Sequence, residues 1–243
     1  MSFAKKRYWL VGASEGLGLA LAKALQAEGA EVIVSARSPQ GLAAASMALG
    51  GVQTLALDVA DAAAVDQAVA QLGQIDGMVF LAGVYWPMPA QAIDVAKLIA
   101  MCDVNFTGCA RVVAAVLPAM LARGSGHLVI TGSLSGFRGL PGAMGYAASK
   151  AGVMALAECL YADLRGSGVK VQLGNPGFIA TRLTAKNDFA MPFLMQPEEA
   201  AGHMLRLMKS NRFKASFPSL FSWLFRGGNF LPDWLYYRIF APK

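Results

Sequence analysis

Tyr146 and Lys150 stand one helical turn apart in Gly145-Tyr146-Ala147-Ala148-Ser149-Lys150, and Ser133 precedes the tyrosine by 13 positions, after an apolar run. A phenol titrates near about 10 in water, so it exchanges a proton with a substrate oxygen at neutral pH only when a neighbouring positive charge stabilises the phenolate. Lys150, at i+4 on the same helix face, can supply that charge. Ser133 can supply an oriented hydroxyl. Tyr-x-x-x-Lys alone also describes two surface residues of any helix, so the surrounding chain must decide between the readings. Ser135 is the alternative hydroxyl, but its spacing to Tyr146 favours Ser133. His127, entering a strand, and His203, on an amphipathic helix, read as structural.

The elements that must position this set are short apolar runs, bounded by turn residues, alternating with amphipathic segments. That is the pattern of a parallel sheet covered by helices on both faces. Strands are predicted at Tyr8–Val11, Glu31–Ser35, Gln53–Leu57, Gly77–Leu81, His127–Thr131, Lys170–Leu173 and Lys214–Phe217. Helices are predicted to start near Gly16, Pro39, Asp61, Ala92, Asp103, Met144 and Pro197. The expected fold is α/β: a single Rossmann-like, doubly wound parallel sheet of about seven strands with helices on both faces, plus a C-terminal aromatic helical extension. The expected organisation is a nucleotide-binding catalytic domain over residues 1–218 and an apolar, aromatic extension over residues 219–243. With 56% hydrophobic and 15% charged residues the chain can bury a large core, and disorder is not expected.

Gly12-Ala13-Ser14-Glu15-Gly16-Leu17-Gly18 follows the first strand and opens the first helix. The backbone amides of such a turn and the helix N-terminus hold a pyrophosphate, while the glycines permit close approach. The spacing, G-x-x-x-G-x-G, differs from the usual G-x-G-x-x-G, and a plain tight turn is the alternative reading of this segment alone. At the end of the second strand a carboxylate would bind the ribose 2′-hydroxyl of NAD, whereas an arginine suits the 2′-phosphate of NADP. The chain has Ser35-Ala36-Arg37 there. A guanidinium clamps phosphate bidentately, so NADP is favoured over NAD. Glu15 argues the other way, because a carboxylate in the glycine turn would repel that phosphate.

In this order and spacing the motifs resemble the short-chain dehydrogenase/reductase family, from about Tyr8 to Phe217. The resemblance implies that Ser133, Tyr146 and Lys150 are catalytic, and that Asn105 in Val104-Asn105-Phe106-Thr107-Gly108 joins them through a kink and a water relay. It implies cofactor contacts from Gly12, Ser14, Glu15, Gly16, Leu17 and Gly18, adenine contact at Asp58 and Val59, and a turn under the cofactor at Ala82 and Gly83. It further implies contacts at the nicotinamide end from Pro176, Gly177, Ile179 and Thr181, together with Tyr146 and Lys150. A homodimer or homotetramer through the helices near Asp103–Arg123 and Met144–Arg165 follows from the same resemblance. Two departures stand out. Where the family often has Asn-Asn-Ala-Gly, this chain has Phe80-Leu81-Ala82-Gly83, and Val11 replaces a threonine before the first glycine.

The leading functional reading is an oxidoreductase moving a hydride between NADP(H) and a small, hydrophobic carbonyl or secondary alcohol, with Tyr146 as acid/base. An NAD-linked alcohol dehydrogenase and a non-catalytic nucleotide-sensing or scaffold protein are the alternatives; the complete Ser133, Tyr146, Lys150 set speaks for an enzyme. The segment Arg182 to Gln196, with Leu183, Phe189, Met191, Phe193, Leu194 and Met195, is read as an apolar substrate lid. Phe217, Leu220, Phe221, Leu224 and Phe225 predict one apolar helix face stopped by Gly227-Gly228, and Pro232 opens a second helix carrying Trp234, Leu235 and Ile239. With Lys209, Arg212, Lys214, Arg226, Arg238 and Lys243 nearby and only Asp233 opposing them, three readings of this tail stay open: packing against protein, peripheral membrane contact, or disorder.

The net charge of +6 is spread without a basic run, so nucleic acid is not an expected partner. Cys102, Cys109 and Cys159 show no metal-ligand spacing and read as reduced thiols, so no metal site and a cytoplasmic or at most membrane-peripheral protein are expected. The basic segment from Met1 to Tyr8 leads into a strand rather than a signal peptide, and no long apolar run free of Pro and charge predicts a spanning helix.

Overall fold

In a computed structural model, which describes residues 2–187 and 190–240, the apolar runs form seven strands. They are β1 (Arg7–Val11), β2 (Glu31–Ala36), β3 (Thr54–Ala56), β4 (Gly77–Phe80), β5 (Gly126–Thr131), β6 (Val169–Pro176) and β7 (Lys214–Phe217). All pair in parallel in the order β3-β2-β1-β4-β5-β6-β7. The sheet is therefore wound both ways from β1, as expected. Register aligns Val11 with both Ser35 and Phe80, so the chain leaves the sheet in opposite directions beside the end of β1. That divergence opens a crevice at the carboxyl ends of the strands.

Successive strand residues face opposite sides. Trp9 and Val11 join one core with Ile33, Phe80 and Ile130, under α3 (Ala62–Leu72), α5 (Gly108–Arg123) and α6 (Met144–Asp163). Tyr8 and Leu10 join the other with Val32, Val34 and Val129, under α1 (Gly16–Ala27), α2 (Pro39–Ala48) and α7 (Pro197–Lys209). Phe80 is fully buried in the first core, and the Leu81 amide donates to the Val11 carbonyl at 2.8 Å. The residues standing where the family often has asparagines thus extend the core and the β1–β4 ladder. His127 is buried, hydrogen-bonded to Tyr8 and Gln172 at 2.8 Å each, and burial lowers its pKa to about 3. His203 stacks on Phe217. Cys102, Cys109 and Cys159 are free thiols.

Three expectations need correction. The helices predicted near Ala92 and Asp103 are one continuous run: α4 (Val95–Cys102) passes through a π turn (Asp103–Thr107) into α5. No glycine or proline stands from Val95 to Thr107, so nothing stops the first helix, and the π turn absorbs an extra residue within the run. By length and composition alone this run, Val95–Arg123, could cross a bilayer, but Met101, Cys109, Val112 and Val116 are buried inside the domain.

Among the described residues of the supposed lid, Thr184–Lys186 form a short turn, and Met195 is buried in the second core, bridging Ile179. Phe193 and Leu194 are exposed instead of lining a cavity. Phe189 of that segment and Lys243 of the tail lie outside the described residues.

The tail folds as α8 (Ser219–Gly228) and α9 (Asp233–Phe240), with Pro232 just before α9. The predicted single apolar stripe is divided: Phe217 belongs to β7, Phe221 and Phe225 turn inward, and Leu220 and Leu224 face solvent. α9 folds back on α8 through Tyr236 against Gly228 and Phe240 against Phe225. Arg138 fastens the pair to the domain, donating to the carbonyls of Gly228 and Leu231 at 2.7 and 2.8 Å, pairing with Asp233 and lying 4.0 Å over the Tyr236 ring.

Candidate active site

The crevice at the end of β1 is a cleft of about 310 Å³, and every sequence-predicted site residue except Asn105 lines it. Its floor is the glycine turn. Gly12 has φ +88°, and a Cβ there would fall 2.4 Å from the Ala82 nitrogen, so two backbone turns touch where any side chain would separate them. At Gly18 a Cβ would fall 2.5 Å from both the Gly12 carbonyl and the Ala13 Cα, which packs α1 tightly against the turn. Gly16 sits at φ +53° beside the Thr181 methyl. Amides in the first turn of a helix have no intrahelical acceptor, and the helix dipole adds positive potential there. No side chain caps α1. This cradle fits a pyrophosphate.

Arg37 lies exposed at one end of the cleft, past β2. Glu15 is held by Arg182, whose Nη2 and Nε lie 2.6 and 2.8 Å from its Oε1. Both side chains are solvated, so the pair adds little stability, but it offsets the carboxylate beside the phosphate cradle. Asp58 lines the cleft with Oδ1 accepting from the Ala60 amide at 3.0 Å. The cap of α3 is Asp61, which accepts from Ala64 at 3.2 Å, so Asp58 is not the helix cap.

At the other end, Ser133 follows β5 and Tyr146 and Lys150 occupy the first turns of α6. The Ser133 Oγ accepts from the Ser135 amide at 3.2 Å, and the Ser133 hydroxyl lies close enough to the Tyr146 phenol to favour its ionised form. Ser135 does not line the cleft. Lys150 is buried, its Nζ donating to the Thr131 carbonyl at 2.9 Å and lying 5.8 Å from the centroid of the Tyr146 ring. Burial lowers its pKa to about 8, with the Cys109 thiol opposing.

The phenol behaves differently from the sequence expectation. Burial raises the Tyr146 pKa above 10; the Ser133 hydroxyl opposes that rise and Tyr85, edge-on at 5.1 Å, adds to it. Enclosure of the hydroxyl is the largest of these effects.

Asn105 lies in the π turn, fully buried behind the cleft wall. Its Oδ1 accepts from the Val84 amide at 2.7 Å, and its Nδ2 donates to the Val84 carbonyl and Ser149 Oγ at 3.0 Å each. Ser149 donates to the Tyr146 carbonyl at 2.9 Å. Asn105 thus ties the turn after β4 to the helix that carries Tyr146. Thr131, Ser149, Tyr85 and Arg182 escape sequence reasoning, since each acts through a contact distant in the chain. The Thr131 hydroxyl is buried in the cleft wall without a hydrogen-bond partner among the described residues, a polar group suited to a ligand.

A second, smaller cavity of about 120 Å³ opens beside the first. Tyr85, Leu134, Leu140, Phe178, Phe221 and Phe225 give it apolar walls. Ser133 and Tyr146 line both cavities. Of the segment assigned to a lid, Leu183, Thr184 and Asn187 line it, and Leu183 is the one large apolar side chain among these three. The tail contributes Phe221 and Phe225 instead, a role sequence periodicity could not assign.

The profile of the short chain dehydrogenase family matches residues 6–191. An uncharacterized oxidoreductase of Myxococcus xanthus (strain DK1622) is 39% identical over 217 residues, covering 86% of each chain. The 1-deoxy-11-beta-hydroxypentalenate dehydrogenase of Streptomyces avermitilis is 35% identical over 219 residues, covering 84% of this chain and 81% of its own. Among solved structures, an actinorhodin polyketide ketoreductase variant with NADPH superposes with a TM-score of 0.80 at 26% identity, covering 88% of this chain and 95% of its own.

Proposed function

Given that this chain belongs to the short chain dehydrogenase family, we propose that it transfers a hydride between NADP(H) and the carbonyl or secondary alcohol of a small hydrophobic molecule, with Tyr146 as the acid/base. Membership makes the chain an oxidoreductase of a family that works with a nicotinamide nucleotide. The observation that carries the finer reading is the position of Ser133 and Tyr146 on the wall common to the glycine-turn cleft and the apolar cavity. A substrate oxygen held there would meet both hydroxyls while its carbon faces the cleft.

The cradle of Gly12, Ser14, Gly16, Leu17 and Gly18 would hold the pyrophosphate, Asp58 and Val59 the adenine, and Ala82 and Gly83 the face beneath. Pro176, Gly177, Ile179 and Thr181 would hold the nicotinamide end. Arg37 would take the 2′-phosphate. The Arg182 pairing of Glu15 removes the main objection to that assignment. When bound, the nicotinamide supplies or accepts the hydride.

In the reductive direction Ser133 orients the substrate oxygen and Tyr146 donates its proton to it. The raised phenol pKa keeps that proton in place at neutral pH, and the Lys150 charge favours the phenolate that forms. We assign residues 1–218 to catalysis and residues 219–243 to an extension that walls the substrate cavity. Assembly as a homodimer or homotetramer would use the exposed sides of α5 and α6, where Leu121 and Tyr161 lie.

Turnover of hydrophobic ketones with NADPH, compared in wild type and Tyr146→Phe, tests this reading. The variant should lose roughly 1,000-fold in turnover while NADPH affinity, read by fluorescence titration, changes less than about twofold. Retained turnover would eliminate Tyr146 as the proton donor.

A further inference from the structure

The C-terminal helix pair presents an apolar, aromatic surface to solvent: Leu220 is 70% exposed, Trp223 69%, Phe230 89% and Trp234 68%, with Leu224 and Ile239 also exposed. Single exposed apolar residues are ordinary on soluble domains, but this concentration within one short stretch marks an interaction face. Its charge is one-sided. From Phe217 to Phe240 the only acid is Asp233, and Arg138 already pairs with it. Arg226 lies 6.0 Å over the Trp223 ring, and Arg238 is exposed on α9.

Indoles and aliphatic side chains beside arginines match the headgroup region of an anionic bilayer, where the rings sit at the interface and guanidinium groups meet phosphate. A second copy of this chain is the weaker occupant. A two-fold contact sets the same patch against itself and brings like charges together.

We propose that α8 and α9 form a peripheral membrane-binding surface for anionic phospholipid. α8 then stands between two apolar environments: Leu220, Trp223 and Leu224 face outward, while Phe221 and Phe225 on its other side line the cavity beside Ser133 and Tyr146. A lipid-soluble substrate would pass along this helix from the bilayer to the cavity. That second step rests on the carbonyl-reductase reading; membrane binding itself does not.

The test is co-sedimentation of the full chain with phosphatidylcholine vesicles, with and without phosphatidylglycerol. The expected result is binding to the anionic vesicles that weakens with added salt. Arg226→Gln with Arg238→Gln should lower affinity roughly thirtyfold, from ~1 kcal/mol per basic residue at an anionic surface. Trp223→Ser with Trp234→Ser should abolish binding while circular dichroism and turnover of a water-soluble ketone stay as in wild type. The proposal is overturned if the full chain stays in the supernatant, or if both double variants bind like wild type. It is equally overturned if the tryptophan double variant halves the mass measured by light scattering without vesicles, which would make the face a subunit contact. The wild-type chain separates the two claims: vesicle binding with no turnover of any hydrophobic ketone supplied with NADPH would leave the membrane surface standing and remove the catalytic reading.

Discussion

Lys150 should make the stability of this protein rise with pH above about 8, because the fold holds an ammonium where water cannot reach it. Its pKa falls from 10.5 to about 8 on burial. Below pH 8 the folded and unfolded chains both carry the proton, and the desolvation of the charge opposes folding in full. Between the two values the folded chain has released the proton while the unfolded chain keeps it, so stability increases with pH. Relative to pH 7, the linkage relation gives a gain of about 1 kcal/mol at pH 9 and about 2–3 kcal/mol at pH 10. Cys109, raised to about 12 by burial, acts in the opposite direction above pH 9, and Tyr146 and Tyr8, also raised by burial, do so above pH 10. Lys150→Met isolates the lysine, since the thiol and the two tyrosines remain in both proteins. Urea denaturation of both proteins at pH 7, 8, 9 and 10, without nucleotide, measures the difference directly. Wild type should gain on the variant by the stated amounts. A difference that stays flat from pH 7 to 10 would mean that the amine keeps its aqueous pKa, and the buried, dry character assigned to this end of the cleft would be wrong.

Arg37→Ala should weaken NADPH binding by roughly 10- to 100-fold, the ~1.5–3 kcal/mol range of a charge-assisted hydrogen bond, and leave NADH nearly unchanged in parallel titrations. Equal effects on both nucleotides would place the 2′-phosphate elsewhere. Gly12→Ala should destabilise by at least about 2 kcal/mol and abolish nucleotide binding, because the new methyl would drive the Ala82 backbone away and φ +88° is strained for alanine. Thermal unfolding and calorimetric titration read the two effects, and a well-folded, nucleotide-binding variant would contradict the packed-turn geometry. Phe225→Ala should lower kcat/KM for a hydrophobic ketone about tenfold, from ~1.5 kcal/mol, the lower end of the range for a buried phenylalanine because Phe225 is half-buried, and leave NADPH affinity alone. A steady-state comparison with no change in kcat/KM would move the substrate out of this cavity.

Much of the architecture was legible in the chain because parallel strands buried on both faces must be short apolar runs, and their spacing by helices dictates crossovers. Gly12, Gly16 and Gly18 after β1, and Tyr146 with Lys150 one helical turn apart, are local patterns, and the structure brings them to one cleft. What failed was reasoning that assumed a stop or a face from sequence alone. The helix predicted near Asp103 is a continuation through a π turn, since no residue in the sequence forbids it. The tail's periodicity named an apolar stripe but could not say that its two sides meet different surroundings.

Sequence by itself determined which residue types stand at the ends of which strands, because hydrophobic period and glycine placement are properties of neighbours along the chain. Tertiary structure alone decided the electrostatics of the site. Thr131, 19 residues before Lys150, receives the ammonium. Arg182 crosses the cleft to Glu15, and Phe221 and Phe225 close a cavity whose other wall is Ser133 and Tyr146. Desolvation and charge pairing depend on what surrounds an atom in space, and no spacing along a chain encodes that until the sheet has brought distant segments together.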